Sequence, residues 1–225
     1  MSSTFGQILT LTAKDLRIEG RTRQTMGLVL VLGVLIISVL GMSLANQPAL
    51  GAMGTPAILW VAYLFSGVLC FEKTMAVERQ DGALAGLLLA PIDRSVIYVS
   101  KLISNLLLML AVAAVVTPVG ILFFHLDLSP APLGFALIIA ISMLGLAAVG
   151  TLFAALVSSS RLQGGLLSLV IFPVILPLVI ASTQQMTAMF RDGQAPGGTG
   201  LAVLVAFDAI FLVTSWLVFE LLLEP

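Results

Sequence analysis

Phe71-Glu72-Lys73-Thr74-Met75-Ala76-Val77-Glu78-Arg79-Gln80-Asp81-Gly82-Ala83-Leu84, followed after Leu89 by Ala90-Pro91-Ile92-Asp93-Arg94, is the stretch that decides the fold. Glu72, Lys73, Glu78, Arg79, Asp81, Asp93 and Arg94 place seven charges here, in a chain with only 10 Lys+Arg and 11 Asp+Glu. On either side lie apolar runs, 51–71 and 97–124, each long enough for the ~20 residues that a bilayer crossing requires. A charged, amphipathic elbow between two membrane spans, in a chain with little other polar surface, is suited to docking a soluble partner that drives the membrane part.

The rest of the chain agrees with that frame. Sixty percent of residues are hydrophobic and 9% are charged, with a mean hydropathy of +1.16. Soluble domains carry about a quarter charged residues, so the chain reads as an all-α integral membrane protein. Four further runs bring the spans to six, at 27–45, 51–71, 97–124, 133–157, 166–185 and 200–222, within a single transmembrane domain, 1–225. The first run begins late and follows a charged segment, a pattern unlike a cleavable signal peptide. Lys14, Arg17, Arg21, Arg23, Lys73, Arg79, Arg94, Lys101 and Arg161 all fall on one side of this topology, leaving only Arg191 opposite. The positive-inside rule then puts both termini and the elbow, 72–96, in the cytoplasm.

Before the first span, Phe5, Ile8, Leu9, Thr12 and Leu16 recur at helical spacing, with Lys14, Arg17 and Arg21 mostly off that stripe. The pattern predicts an interfacial amphipathic helix over 4–24, with basic residues toward lipid headgroups. It serves as a topology anchor or also touches a partner. Glu19 and Arg23 are spaced to pair at i, i+4.

Candidate chemistry is sparse. There is no G-x-x-x-x-G-K-[ST] loop, so any ATP hydrolysis belongs to a separate chain, and a membrane enzyme is disfavoured. One histidine, His125, and one cysteine, Cys70, cannot build a zinc site or a disulfide framework. No cofactor is expected to bind directly, and nucleic acid is not an expected partner. Trp60 and Trp216 read as interface anchors near opposite bilayer faces. Asp208 lies inside the sixth span, where an ionisable group is expensive; it marks a pathway or partner contact, or it is a carboxyl bonded to a neighbouring helix. Pro173 and Pro177 predict a kink or opening in the fifth span, as a hinge or as a fixed bend. Gly145, Ala147, Ala148, Gly150, Thr151, Ala154 and Ala155 make the fourth span a small-residue surface for close packing, within the bundle or in a homodimer.

The elbow residues, with Lys101 and the run Phe172-Pro173-Val174-Ile175-Leu176-Pro177-Leu178, resemble cytochrome c maturation protein B, the haem exporter B family of ABC transporter permeases. The resemblance covers essentially the whole chain. It implies a bacterial inner-membrane subunit paired with a soluble ATPase, maturation protein A, beside membrane proteins C and D and the haem chaperone E. ATP would act through that partner, with haem as a possible cargo of the complex. The elbow helix, roughly 78–90, would seat on the ATPase. Glu78, Arg79 and Asp81 would supply polar coupling contacts, Leu84, Leu87 and Leu88 the apolar anchor, and Gly82 a backbone turn or close approach, with Glu72, Gln80 and Pro91 also among the ATPase-coupling residues. Two alternatives stay open: an ABC-2-type permease exporting a drug, lipid or polysaccharide, and a stand-alone secondary transporter.

Overall fold

The computed structural model describes residues 4–44, 46, 48–80, 93–125, 131–159 and 166–222. Among them the chain is all-helical: α1 (Thr4–Thr22), α2 (Gln24–Ser43), α3 (Pro48–Gln80), α4 (Arg94–Phe124), α5 (Pro132–Ser159), α6 (Leu166–Asp192) and α7 (Gly198–Leu222). Helices α2 to α7 each contain a membrane-grade apolar span, at Thr25–Ser43, Met53–Thr74, Arg94–Phe124, Pro132–Val157, Leu169–Asp192 and Gly198–Val218. The protein is a multi-pass integral membrane protein, with six spans among the described residues. A helix suits that solvent because it satisfies its own backbone donors and acceptors.

The expected boundaries shift in three places. The amphipathic helix stops at Thr22 rather than running through 24, because Arg23 takes a left-handed conformation, φ 50. That one residue turns the chain from α1 into α2 without a loop. The corner is held by Arg23 N–H donating to the Glu19 carbonyl at 2.7 Å and Gly27 N–H donating to the Arg23 carbonyl at 3.0 Å. The Glu19 carboxylate accepts the Met26 N–H at the start of α2, in place of the anticipated pairing with Arg23.

The second shift concerns the elbow. Helix α3 does not end where charge begins at Glu72 but continues unbroken to Gln80, 33 residues in all. At 1.5 Å per residue it is a rod of about 50 Å, longer than the ~30 Å hydrocarbon core. Residues 78–80 are therefore the last turn of the second spanning helix and not the start of a separate one. Thirdly, α6 is helical through Pro173 and Pro177 and ends at Asp192, beyond the anticipated 185.

The six spans sort into two groups of three. Helices α2, α3 and α4 pack on one another, as do α5, α6 and α7, and the groups meet chiefly where α5 lies against α3 and α4. Helix α1 rests mainly on α4 and only slightly on α2, its neighbour in sequence. Ile37, Leu59, Trp60, Tyr63, Phe71, Met109, Met143 and Leu146 fill the interior. Trp60 is fully buried there, edge-on to Tyr63 with ring centroids 5.9 Å apart, so it packs the core instead of anchoring a bilayer face. Trp216 is 48% exposed. Lipid offers apolar side chains no less than protein does, so this bundle is held by close packing and interhelical hydrogen bonds.

Candidate coupling site at the basic end of the bundle

The start of α4, the end of α3 and the whole of α1 come together at one end of the bundle, which also carries Lys14, Arg17, Arg21 and Arg94. Thr12 and Leu16 turn toward α4, while Phe5 and Leu9 are exposed. The stripe read from sequence is thus divided, and the inner face of α1 is partly polar. The Thr12 hydroxyl donates to the Ser100 carbonyl at 3.4 Å.

One turn along, Asp15 Oδ2 lies 2.8 Å from Lys101 Nζ. The Ser104 hydroxyl donates to the same oxygen at 3.3 Å, and Lys14 Nζ is 3.4 Å from Oδ1. Lys101, counted in sequence on the cytoplasmic side, lies seven residues into α4 with its side chain 8% exposed. A cation withdrawn from water to that degree needs its counterion in place.

A second polar group continues from the first. Asn105, one helical turn beyond Lys101, is buried between three helices. Its Nδ2 donates to Thr151 Oγ1 on α5 at 2.9 Å. Its Oδ1 lies 3.2 Å from the Thr74 hydroxyl on α3, whose single proton is shared with the Phe71 carbonyl, also at 3.2 Å. Asp15, Glu19, Thr25, Thr74, Lys101, Ser104 and Asn105 line a pocket of about 40 Å³, room for a water and little more.

Of the residues singled out in sequence, Glu72 lies on α3, half-buried, two residues before Thr74. Glu78, Arg79 and Gln80 form the end of the same helix, and their side chains lie outside the described residues. Asp81, Gly82, Leu84, Leu87, Leu88 and Pro91 also lie outside them. Pro173 and Pro177 line a groove between α6 and α7 with Leu176, Gln184 and Val203. Asp208 is buried against the backbone of Gly145, with Oδ1 lacking a hydrogen-bond partner. Sequence reasoning missed Asp15, Lys101 as a buried cation, and Asn105. For Asn105 a signal existed, since a polar amide within a long apolar run is costly unless bonded.

Among the described residues no three His, Cys, Asp or Glu cluster as metal ligands. The far end of α3 is continuous with the charged insert, and fixed hydrogen bonds join it to α4 and α5.

Known proteins give this geometry a family. The family described as CcmB protein matches residues 6–220. Heme exporter protein B of Paracoccus denitrificans is 29% identical over 207 residues, 91% of each chain. The protein of that name from Haemophilus influenzae is 28% identical over 176 residues, 77% of each chain. The Escherichia coli counterpart is 31% identical over a shorter stretch of 72 residues, 32% of this chain and 33% of its own. With six spans and a match over nearly its whole length, the chain belongs to the CcmB protein family.

Proposed function

We propose that this chain is the non-catalytic membrane subunit of an ATP-driven haem-export complex. It takes displacement from a soluble ATPase at the insert between α3 and α4 and passes it into the membrane. The observation that carries this reading is the unbroken α3 rod, which leaves the apolar zone and enters the charged insert while Thr74 ties it to Asn105. The names of the relatives support haem, or a haem-loaded chaperone, as what the complex handles. Nine of the ten basic residues on one side support a bacterial inner-membrane setting with both termini in the cytoplasm. Maturation protein A is the ATPase this reading calls for, with membrane proteins C and D and chaperone E as the further partners.

The test reverses charge at the insert, with Glu78→Lys and Asp81→Lys together, in a host whose own copy is deleted. Membrane insertion should be unchanged, recovery of the ATPase with the tagged chain should fall at least tenfold, and haem-stained c-type cytochrome bands should vanish. Normal assembly of the double variant refutes the docking role. Lost assembly with normal cytochrome bands refutes haem as cargo and favours an ABC-2-type permease for another substrate.

A further inference from the structure

We propose that the outward face of α1 binds an anionic phospholipid, its phosphate held between Arg17 and Arg21 and its acyl chains lying along Leu9 and Phe5. The inner face of this helix is committed to protein. The Thr12 hydroxyl donates to the Ser100 carbonyl at 3.4 Å, Asp15 pairs with Lys101 at 2.8 Å, and Leu16 packs against the core. These contacts fix the rotation of α1 about its own axis, and with it the set of side chains turned away from the bundle.

That set is cationic. Thr10, Lys14, Arg17 and Arg21 follow at steps of four, three and four, a single strip along the helix. Thr10, Arg17 and Arg21 are exposed, and the Lys14 side chain is 36% exposed. The neighbours of Arg17 one turn away are Ala13, Lys14, Gly20 and Arg21, so its own helix offers it no carboxylate. The acidic residues of α1 are engaged elsewhere, Asp15 with Lys101, Ser104 and Lys14, and Glu19 with the Met26 N–H. Among the described residues no carboxylate pairs with Arg17 or Arg21. Like charges at i, i+4 repel, and a phosphate between two guanidinium forks replaces that repulsion with charge-assisted hydrogen bonds.

Two observations point to a lipid and not to a soluble anion. Phe5 is 71% and Leu9 54% exposed, and Leu9, Ala13, Arg17, Gly20 and Arg21 line one open trough. A Cβ on Gly20 would meet nothing within 4 Å, so the trough is unobstructed beside the guanidinium groups. The second observation is level. Helix α1 passes through the single-residue corner at Arg23 into α2, whose apolar span begins at Thr25, so α1 lies at the depth of the headgroups. A choline headgroup carries its own cation beside its phosphate and offsets the attraction, whereas an anionic headgroup retains it. An interfacial helix needs no particular lipid, but a fixed pair of uncompensated guanidinium groups beside an apolar trough selects one.

The experiment titrates the full chain in detergent with phosphatidylglycerol or phosphatidylcholine of matched acyl chains and counts bound lipids by native mass spectrometry. Arg17→Gln with Arg21→Gln should weaken the first phosphatidylglycerol bound by roughly 30-fold, the usual strength of two basic residues at an anionic surface. Phosphatidylcholine binding should not change, and Arg191→Gln at the opposite end of the bundle should change neither. Gln keeps the helix propensity of Arg and both sites are exposed, so the fold is preserved. A second measurement uses hydrogen exchange in phosphatidylcholine nanodiscs with and without phosphatidylglycerol. Peptides from residues 4–22 should gain protection from phosphatidylglycerol in the parent and not in the double variant. Equal phosphatidylglycerol affinity in parent and double variant overturns the site. So does the same protection from inorganic phosphate alone, or unchanged lipid binding with lost ATPase recovery, which would assign this face to the ATPase. The lipid measurements contain neither ATPase nor haem, so their failure leaves the proposed function standing.

Discussion

Replacing Lys101 by Met keeps the length of the side chain and removes its charge, which isolates the ion pair that fastens α1 to the bundle. The two side chains are 8% and 13% exposed and their charged atoms are 2.8 Å apart. The cost therefore lies closer to the ~3–5 kcal/mol of a broken buried pair than to the ~0–1 kcal/mol of a surface one. Lys14 and Ser104 still serve the Asp15 carboxylate in the variant, which brings the expected loss to about 2–3 kcal/mol. Because α1 stands mainly on α4, the loss falls on attachment of that one helix and not on the six spans. A local opening equilibrium should rise by roughly 30- to 150-fold. Hydrogen exchange read by mass spectrometry on nanodisc-embedded protein reports it directly. Peptides from residues 4–22 should lose protection by that factor, while peptides from α5 and α7 stay as in the parent. Asp15→Asn with Lys101→Met should lose less than the two single variants summed, since neither then leaves an unpaired charge. Exchange of α1 within threefold of the parent in Lys101→Met, or strict additivity in the double variant, would show that packing and not the ion pair holds α1.

Two smaller tests probe other features. Gly145→Ala places a methyl group against Asp208 Oδ1 and Leu178, an overpacking that should cost about 1–3 kcal/mol. A lowered midpoint in detergent thermal unfolding, largely restored by adding Asp208→Ala, is the expected result, and no restoration would place the strain elsewhere. Glu19→Ala removes the acceptor for the Met26 N–H at the start of α2 and should cost about 1 kcal/mol, as lost helix caps do. Increased exchange confined to residues 20–27 is the expected signature, and an unchanged corner would refute the capping role.

Hydropathy made the six spans legible because a lipid solvent leaves the sequence few alternatives to a long apolar helix. The same rule misplaced the end of α3. A hydropathy window closes at Glu72, but helix propensity does not, and Glu72 to Gln80 contains Ala, Met, Glu, Lys, Arg and Gln with no Gly or Pro. Trp60 was misread for a related reason, since distance along a span does not say which face of the helix meets lipid. Lys101 was legible as a charge and not as a buried one, because its partner is far away in the chain. Asn105, Thr74 and Thr151 stand on three different helices, and no periodicity within one segment connects them. The grouping of spans into threes rests on which helices pack on which, and only the assembled bundle reveals that.

The packing of α1 also bears on how the chain is made. Thr12 finds its acceptor at Ser100, a separation of 88 residues, and Asp15 finds Lys101 from nearly as far along the chain. At ~5–20 residues per second of synthesis, those partners emerge roughly 4–18 s after α1 does. For that interval α1 has only the membrane surface to lie on, with Phe5 and Leu9 as its apolar grip. A ribosome halted before residue 94 would leave this helix undocked, with Asp15 open to water. Docking of α1 is thus a late event that reports on arrival of the third span, and a quality-control protease that recognised the loose helix would remove chains that never received it.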